Sequence, residues 1–207
     1  MTVGQRRIEI FTHLLSLFPI GRLVDLGAGH GKFSMIAAEA GWDVTAVDAR
    51  TERWVDVPGV TWTQADVRDF HLGEFDLVVC LGLFYHLTVE DQLDMLKRCH
   101  ERPMIIDTHL ANGQSTQPLT DEVEMRGFRG RLYGEGVGLK SSWGNSQSFW
   151  PTPESFQRML EEAGFGVVAT VEPWYLPDRT FFLTLPTEGS TAVSTSLAET
   201  STQEISP

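Results

Sequence analysis

Cysteine and long apolar runs are both scarce in this chain. The two cysteines, Cys80 and Cys99, each lie in an apolar segment and are too few for a disulfide framework, so we expect free, buried thiols in a reducing cytosol. No apolar stretch approaches the ~20 residues of a membrane-spanning helix. Glu9, Thr12 and His13 interrupt what would be the apolar core of a signal peptide. These deficits predict a cytoplasmic protein without a membrane partner.

Positive charge is also in short supply. Sixteen Lys and Arg residues against twenty-eight Asp and Glu residues give a formal net charge of −12. Nucleic acids are polyanions that proteins bind largely through Lys and Arg, so this balance argues against DNA and tRNA as partners. Hydrophobic residues make up 42% of the chain, which is enough for the core of one ordinary domain. A monomer and a homodimer are both compatible with this composition.

Aromatic residues and apolar periodicity disappear after Pro186. Ten of the twenty-one residues from Thr187 to Pro207 are Ser or Thr, and such a segment cannot bury enough surface to offset its ordering entropy. We therefore predict one domain over residues 1–186 and a disordered tail over 187–207.

Helical and strand patterns alternate along the predicted domain. Helical spacing of apolar residues covers Gly4–Leu17, Lys32–Ala40 and Val89–Cys99. Strand patterns cover Arg22–Leu26, Asp43–Asp48, Val60–Ala65, Phe75–Leu81 and Pro103–Thr108. Two of these strands are continuously apolar, which is typical of a parallel sheet covered by helices on both faces. The sequence thus predicts a doubly wound α/β fold.

The alternation stops between Leu110 and Trp150 and resumes afterwards. A long stretch without regular structure inside a compact domain is typical of a lid or binding loop, so we predict an acceptor lid over about 110–150. Thr152 and Pro153 begin another helix. Gly166–Glu172 and Arg179–Leu185 then predict a terminal antiparallel hairpin.

A glycine-rich loop follows the first strand, where open α/β sheets bind ligands. It reads Val24-Asp25-Leu26-Gly27-Ala28-Gly29-His30-Gly31. Phe33 follows Gly31-Lys32, so the loop is not a Walker phosphate loop, and its G-x-G-x-G spacing differs from the dinucleotide fingerprint. The acid before the first glycine would repel a pyrophosphate but suits a ligand with an ammonium group. By themselves, the glycines are equally compatible with turns in a sheet that binds no ligand.

Together with three later features, the loop resembles the first motif of class I S-adenosylmethionine-dependent methyltransferases. Asp48 ends the second strand, Asp66 follows the third, and Asp76–Leu87 corresponds to the fourth motif of that family. The resemblance covers about 22–185 and implies a seven-stranded, mostly parallel Rossmann-like sheet with an antiparallel C-terminal hairpin. It also implies that S-adenosylmethionine is bound by Asp25, Gly27, Ala28, Gly29, Gly31, Asp48, Ala49, Asp66, Val67 and Leu81.

Two histidines follow the strands expected nearest the acceptor. His86 comes after the fourth strand and His109 after the fifth, with Asp107 two residues before His109. Histidine suits proton abstraction from a hydroxyl because its unperturbed pKa is near 6.5. His86, His109 and Asp107 are therefore the catalytic candidates, although many relatives have a Tyr-His or Phe-His pair that packs against the cofactor.

A divalent metal such as Mg²⁺ is an alternative way to activate the hydroxyl. Asp107 and His109, with Glu122 or Glu124 from the lid, have the ligand types for it. Against a metal, the fourth strand lacks the carboxylate that catechol-type metal-dependent relatives use.

The predicted lid suggests the class of acceptor. It is rich in glycine and aromatic residues, which together with amides suit a neutral polyhydroxylated ligand. The predicted acceptor residues are Tyr85, Trp143, Asn145 and Trp150. Alternatively, Trp143, Phe149 and Trp150 merely pack the lid against the domain.

The residues around Ser142–Asn145 and Phe149–Glu154 are similar to small bacterial methyltransferases, including mycobacterial methylmannose polysaccharide O-methyltransferases. This similarity implies O-methylation of a sugar or oligosaccharide precursor. The alternatives are a natural-product or tRNA-modifying methyltransferase, and a catalytically silent module that binds an adenosyl ligand.

Overall fold

The computed structural model describes residues 3–139, 141–173 and 176–187. The predicted disordered tail, apart from Thr187, lies outside these residues. Four helices are α1 Val3–Leu15, α2 Lys32–Glu39, α3 Val89–Cys99 and α4 Pro153–Glu162. Ten strands are β1 Arg22–Leu26, β2 Asp43–Asp48, β3 Val60–Gln64, β4 Leu77–Leu81, β5 Met104–His109, β6 Val123–Met125, β7 Phe128–Gly134, β8 Gln147–Pro151, β9 Phe165–Val171 and β10 Arg179–Pro186.

Seven strands form the main sheet in the order β3-β2-β1-β4-β5-β10-β9. The first five are parallel, whereas β10 pairs antiparallel with both β5 and β9. The prediction of a doubly wound sheet with a terminal antiparallel hairpin is confirmed. The strand order reverses between β1 and β4, which places the switch point beside the glycine loop.

Apolar side chains cover both faces of this sheet. One core lies between the sheet and α1 and α2, and a second lies between the sheet and α3 and α4. Thr152 caps the N-terminus of α4 as its sequence predicts, since it accepts a hydrogen bond from the Ser155 amide; Thr88 caps α3 in the same way by accepting from the Asp91 amide. Within the described residues, no helix is long and apolar enough to cross a membrane.

The expectation of a structureless lid is wrong, because β6, β7 and β8 form a separate three-stranded antiparallel sheet over residues 123–151. The strand β7 contains two glycines, Gly130 and Gly134, a residue that strands generally disfavour. Gly130 shows why a glycine stands there: a Cβ atom at this position would lie 2.5 Å from the Phe149 ring. Glycine at position 130 therefore lets the Phe149 ring of β8 pack directly against the backbone of β7.

Buried hydrogen bonds attach the second sheet to the carboxyl end of the main sheet. The Phe149 amide donates to the carbonyl of Leu87 (3.0 Å), and the Gln92 side-chain amide donates to the carbonyls of Phe84 (3.0 Å) and Phe149 (2.6 Å). Gln92 is fully buried, so these bonds form in a medium where an unpaired amide would be costly. The second sheet is thus fixed beside the ends of β4 and β5.

Candidate active site

A pocket of about 520 Å³ opens at the carboxyl ends of β1–β4. Eight of the ten predicted cofactor residues line it, namely Gly27, Ala28, Gly29, Asp48, Ala49, Asp66, Val67 and Leu81. The other two, Asp25 and Gly31, are buried and do not line it. We refer to the wall after β1, β2 and β3 (residues 27–29, 48–50 and 66–68) as the cofactor half. The acceptor half consists of the pocket wall after β4 and in the connection between β7 and β8, together with the end of β5 and the second sheet, which support that wall.

The glycine loop brings bare backbone to the pocket. Gly27 and Gly29 have φ angles of 72° and 58°, in the left-handed region that favours glycine. The amides of Gly27 and Ala28 donate to the carbonyl of Val47 (2.9 and 3.0 Å), which ties the loop to β2. A Cβ atom at Gly29 would collide with the guanidinium of Arg53. Glycine therefore suits this loop for two reasons: it adopts the positive φ angles, and it leaves room for the Arg53 side chain beside Gly29.

Asp48 is held by two backbone amides at the edge of the pocket. Its Oδ2 accepts from the Gly29 amide (2.8 Å), and its Oδ1 accepts from the Arg50 amide (2.9 Å). Because each carboxylate oxygen has two acceptor sites, the side chain can accept two further hydrogen bonds. This geometry suits the predicted recognition of the two ribose hydroxyls.

Asp25 lies beneath the glycine loop instead of in the pocket wall. Its side chain is 2% exposed and accepts a hydrogen bond from Ser34 Oγ (2.6 Å). Burial raises the pKa of Asp25 to about 6, with a further increase from Asp48, while Ser34 and Arg7 oppose the shift. When Asp25 is ionised, its negative charge can therefore stabilise an ammonium group that binds in the pocket above the glycine loop.

Asp66 has a cationic partner that the sequence analysis missed. Arg68 donates to Asp66 Oδ1 from its backbone amide (3.0 Å) and from Nε (2.9 Å), and its Nη2 binds Oδ2. These hydrogen bonds lower the pKa of Asp66 despite partial burial. An adenine amino group at this position would share the carboxylate with Arg68.

His86 forms a hydrogen-bonded pair with Glu135, which the sequence analysis also missed. His86 lines the pocket, and its Nδ1 lies 2.8 Å from Glu135 Oε1. The Glu135 side chain is 1% exposed and also accepts from Ser148 Oγ (2.8 Å) and the Ser142 amide (2.9 Å). Burial raises the pKa of Glu135, but the hydrogen bonds from His86, Ser142 and Ser148 outweigh it and hold this pKa below its usual value. Glu135 is therefore an ionised carboxylate that fixes the imidazole.

His109 has a different environment. Its Nε2 lies 3.1 Å from Arg179 Nη1, so this nitrogen accepts a hydrogen bond, and its Nδ1 lies 3.2 Å from the Asp178 carboxylate. Burial lowers the pKa of His109, and the charge of Arg179 adds to the decrease. The predicted orientation of His109 by Asp107 is not seen, because Asp178 takes that place.

Asp107 instead joins two arginines from opposite ends of the chain. It is fully buried and accepts from Arg7 Nε (2.7 Å) and Arg179 Nε (2.6 Å). Arg179 in turn donates to the Tyr85 hydroxyl (3.4 Å). The network connects α1, β5 and β10, and removing one of its members would leave an uncompensated buried charge.

The predicted metal ligands do not come together. The Asp107 oxygens bind arginine, and Glu122 pairs with Arg129 elsewhere on the second sheet. Among the described residues, no group of three or more His, Cys, Asp or Glu side chains has the geometry of a metal site.

The predicted acceptor residues divide into two groups. Trp150 is 2% exposed and stacks between His109 and Tyr133, with ring centroids 4.7 and 5.4 Å away, so it packs the second sheet against the domain. In contrast, Trp143 is 52% exposed and lines the pocket together with Tyr85.

Asn145 does not line the pocket. Its side-chain amide donates to the carbonyls of His86 (3.1 Å) and Gln147 (2.7 Å). These bonds make Asn145 a support for the His86 backbone.

The pocket fits the S-adenosylmethionine implied by the sequence. Its volume lies within the usual range for cofactor sites, the glycine loop allows close contact, and Asp48 can accept from a diol. Residues 27–29 and 48 would hold the adenosyl moiety at the switch point of the sheet.

Three solved structures share this fold. The N-terminal domain of EvdMO1, crystallised in the presence of SAH and D-fucose, is 20% identical, covering 88% of this chain and 81% of that chain with a TM-score of 0.64. A 1,6-didemethyltoxoflavin-N1-methyltransferase from Burkholderia thailandensis is 18% identical (87% and 77%, TM-score 0.59). The glycopeptide N-methyltransferase MtfA, complexed with S-adenosylmethionine, is also 18% identical (85% and 93%, TM-score 0.57).

Sequence comparison alone gives a clear family assignment. No protein of curated function matches this chain significantly. A family model described as a methyltransferase domain matches residues 4–170, and the chain therefore belongs to this methyltransferase family.

Proposed function

We propose that this methyltransferase transfers the methyl group of S-adenosylmethionine to a hydroxyl of a small polyhydroxylated acceptor, a sugar or oligosaccharide precursor, with His86 as general base. The observation that carries the proposal is the contact between His86 Nδ1 and the buried Glu135 carboxylate (2.8 Å) in the acceptor half of the pocket.

The contact supports Nε2 as the nitrogen of His86 that takes the proton. An ionised carboxylate only accepts hydrogen bonds, so Nδ1 must carry the proton and donate it to Glu135. Nε2 is then the proton acceptor, and no hydrogen bond within the described residues engages it. His109 lacks this freedom because its Nε2 accepts from Arg179.

Each half of the pocket contributes to the reaction. When bound, the cofactor supplies an electrophilic methyl group on a sulfonium. The glycine loop and Asp48 would fix its position, so that the acceptor oxygen needs only alignment and loss of its proton. His86 takes that proton, and Glu135 stabilises the resulting imidazolium.

Aromatic surface supports a carbohydrate as the acceptor. Trp143 and Tyr85 line the pocket, and aromatic side chains pack against the apolar faces of sugars. EvdMO1, whose N-terminal domain was crystallised in the presence of SAH and D-fucose, has the same fold. The narrower similarity to mycobacterial saccharide methyltransferases stays a prediction.

N-methylation is the second candidate, because two proteins of this fold are N-methyltransferases. A neutral amine attacks through its lone pair and loses a proton only afterwards, so it depends far less on a base than a hydroxyl does. Sensitivity to loss of the base therefore separates the two reactions.

The test is transfer of a labelled methyl group from S-adenosylmethionine to a panel of mono- and oligosaccharides and their amino-sugar counterparts. We expect methylation of a hydroxyl by the wild-type protein and strong loss of activity in His86→Ala. Methylation restricted to amines, at rates that His86→Ala leaves unchanged, would contradict the proposal.

A further inference from the structure

The connection between β7 and β8 reaches from the acceptor half to the cofactor half. Three arginines that follow β2 and β3 donate to carbonyl oxygens of this connection. Arg53 binds the carbonyl of Leu139, and Arg68 Nη2 binds that of Trp143 (3.2 Å). Arg50 makes the most extensive contact of the three.

Arg50 is fixed at both ends. Its backbone amide donates to Asp48 Oδ1 (2.9 Å). Its Nη1 and Nη2 donate to the carbonyls of Ser141 and Ser142, both at 3.0 Å, and its guanidinium lies 5.1 Å from the centre of the Trp143 ring. A planar guanidinium can hold two successive carbonyls at once, which a lysine ammonium cannot do with the same geometry.

Ser142 carries this contact into the acceptor half. Its carbonyl accepts from Arg50, while its backbone amide donates to Glu135 Oε2 (2.9 Å). Its hydroxyl binds Asn145, whose side chain donates to the carbonyl of His86 (3.1 Å). Ser142 thus connects Arg50, the neighbour of Asp48, to the two residues that bind His86, Glu135 and Asn145.

We propose that Arg50 is a positioning residue for the base: through Ser142 it holds Glu135, and thereby the imidazole of His86, in the orientation that abstracts a proton. This inference rests on the proposed function of His86. In this proposal Arg50 acts through Ser142 and does not itself take the proton. Its role is to make the geometry of the acceptor half depend on a residue anchored to Asp48.

The first experiment compares Arg50→Ala and Arg50→Lys with Arg22→Ala. Arg22 is the matched control because it begins β1, at the end of the strand opposite the pocket, and its guanidinium pairs with the exposed Glu74. At saturating cofactor, we expect Arg50→Ala to lower kcat about tenfold with little change in the acceptor KM, a pattern that indicates loss of transition-state stabilisation. Arg50→Lys should recover only part of the rate, and Arg22→Ala should match the wild type.

The second experiment is a double-mutant cycle with Glu135→Gln, which tests whether the two residues act as one unit. If Arg50 works through Glu135, the double variant is no slower than Glu135→Gln alone. Additive losses overturn the proposal. So does a defect of Arg50→Ala that disappears when cofactor concentration is raised, because Arg50 would then serve only cofactor binding.

The third measurement does not depend on activity. The proton between His86 Nδ1 and Glu135 should give a downfield proton resonance, assigned by its absence in His86→Gln. We expect Arg50→Ala to broaden or abolish this resonance and Arg22→Ala to preserve it; an unchanged resonance in Arg50→Ala overturns the proposal. If His86→Ala keeps full activity, the proposed function fails, and the resonance still decides whether Arg50 positions the pair.

Discussion

The two halves of the pocket are built in different ways. In the cofactor half, each group of functional residues directly follows one of the strands β1, β2 and β3, and the acids Asp48 and Asp66 each bind a residue two positions further along, Arg50 and Arg68. In the acceptor half, the contacts join distant segments: His86 meets Glu135 across 49 residues, and Arg7 meets Asp107 across 100. A local motif thus specifies one half, whereas the tertiary fold assembles the other.

The charges of the two halves also differ in their surroundings. Asp48 lines the pocket and uses backbone amides as partners, so it keeps acceptor capacity for a ligand. The side chains of Glu135 and Asp107 are buried, and they accept hydrogen bonds from other side chains: Glu135 from His86 and Ser148, and Asp107 from Arg7 and Arg179. We therefore expect Asp48 to bind a ligand, and Glu135 and Asp107 to orient other side chains of the protein.

The largest expected effect tests the contrast between two histidines within the acceptor half. His86→Ala should lower kcat by ~10²–10⁴ with nearly unchanged affinity for S-adenosylhomocysteine, because it removes the base. His109→Ala should cost less than about tenfold in kcat, since its Nε2 is engaged by Arg179. Steady-state kinetics with calorimetric binding measures both. Equal losses in the two variants would show that the hydrogen bonds of His86 and Glu135 do not single out the base.

A smaller effect is expected from the cofactor half. Asp48→Ala removes two charge-assisted hydrogen bonds to the ribose and should weaken S-adenosylhomocysteine binding by about 2–3 kcal/mol, or roughly 30- to 150-fold. Asp43→Ala, at the exposed opposite end of β2, is the matched control. Calorimetry showing the same affinity for both variants would remove Asp48 from the binding site.

The smallest effect concerns Asp25, which lies beneath the cofactor half and is buried like the acids of the acceptor half. Burial raises its pKa from 3.8 to about 6, so the folded protein retains a proton that the unfolded chain has lost between these pH values. Stability therefore falls as pH rises from about 4 to 6, and above pH 6 the ionised carboxylate costs about 1–3 kcal/mol.

Asp25→Asn removes this cost while keeping an acceptor for Ser34. The variant should be more stable than the wild type at pH 7.5 and equal to it near pH 4, as measured by urea unfolding. Its affinity for S-adenosylmethionine should decrease, because the negative charge beneath the loop is lost. A stability difference independent of pH would show that Asp25 is not the group that titrates.

The main sheet was predictable because its signals are local. Each signal is contained within a few residues: a continuous apolar strand, a helix N-cap such as Thr152, or a glycine at a turn. The helices and strands predicted from these signals agree closely with the structure. The second sheet was missed for the complementary reason. Gly130 in β7 leaves room for the Phe149 ring from the neighbouring strand β8, and no local pattern reveals that neighbour.

By itself, the sequence determined the α/β architecture, the glycine loop and the acids that follow β2 and β3, because strand ends of a parallel sheet necessarily meet at one edge. Only the tertiary structure decided which histidine has a free nitrogen, since that depends on the partners of each ring. Glu135 comes to His86 from the second sheet, and Arg179 comes to His109 from the terminal hairpin. Hydrogen bonds act over about 3 Å, so such partners are set by folded distance and not by separation along the chain.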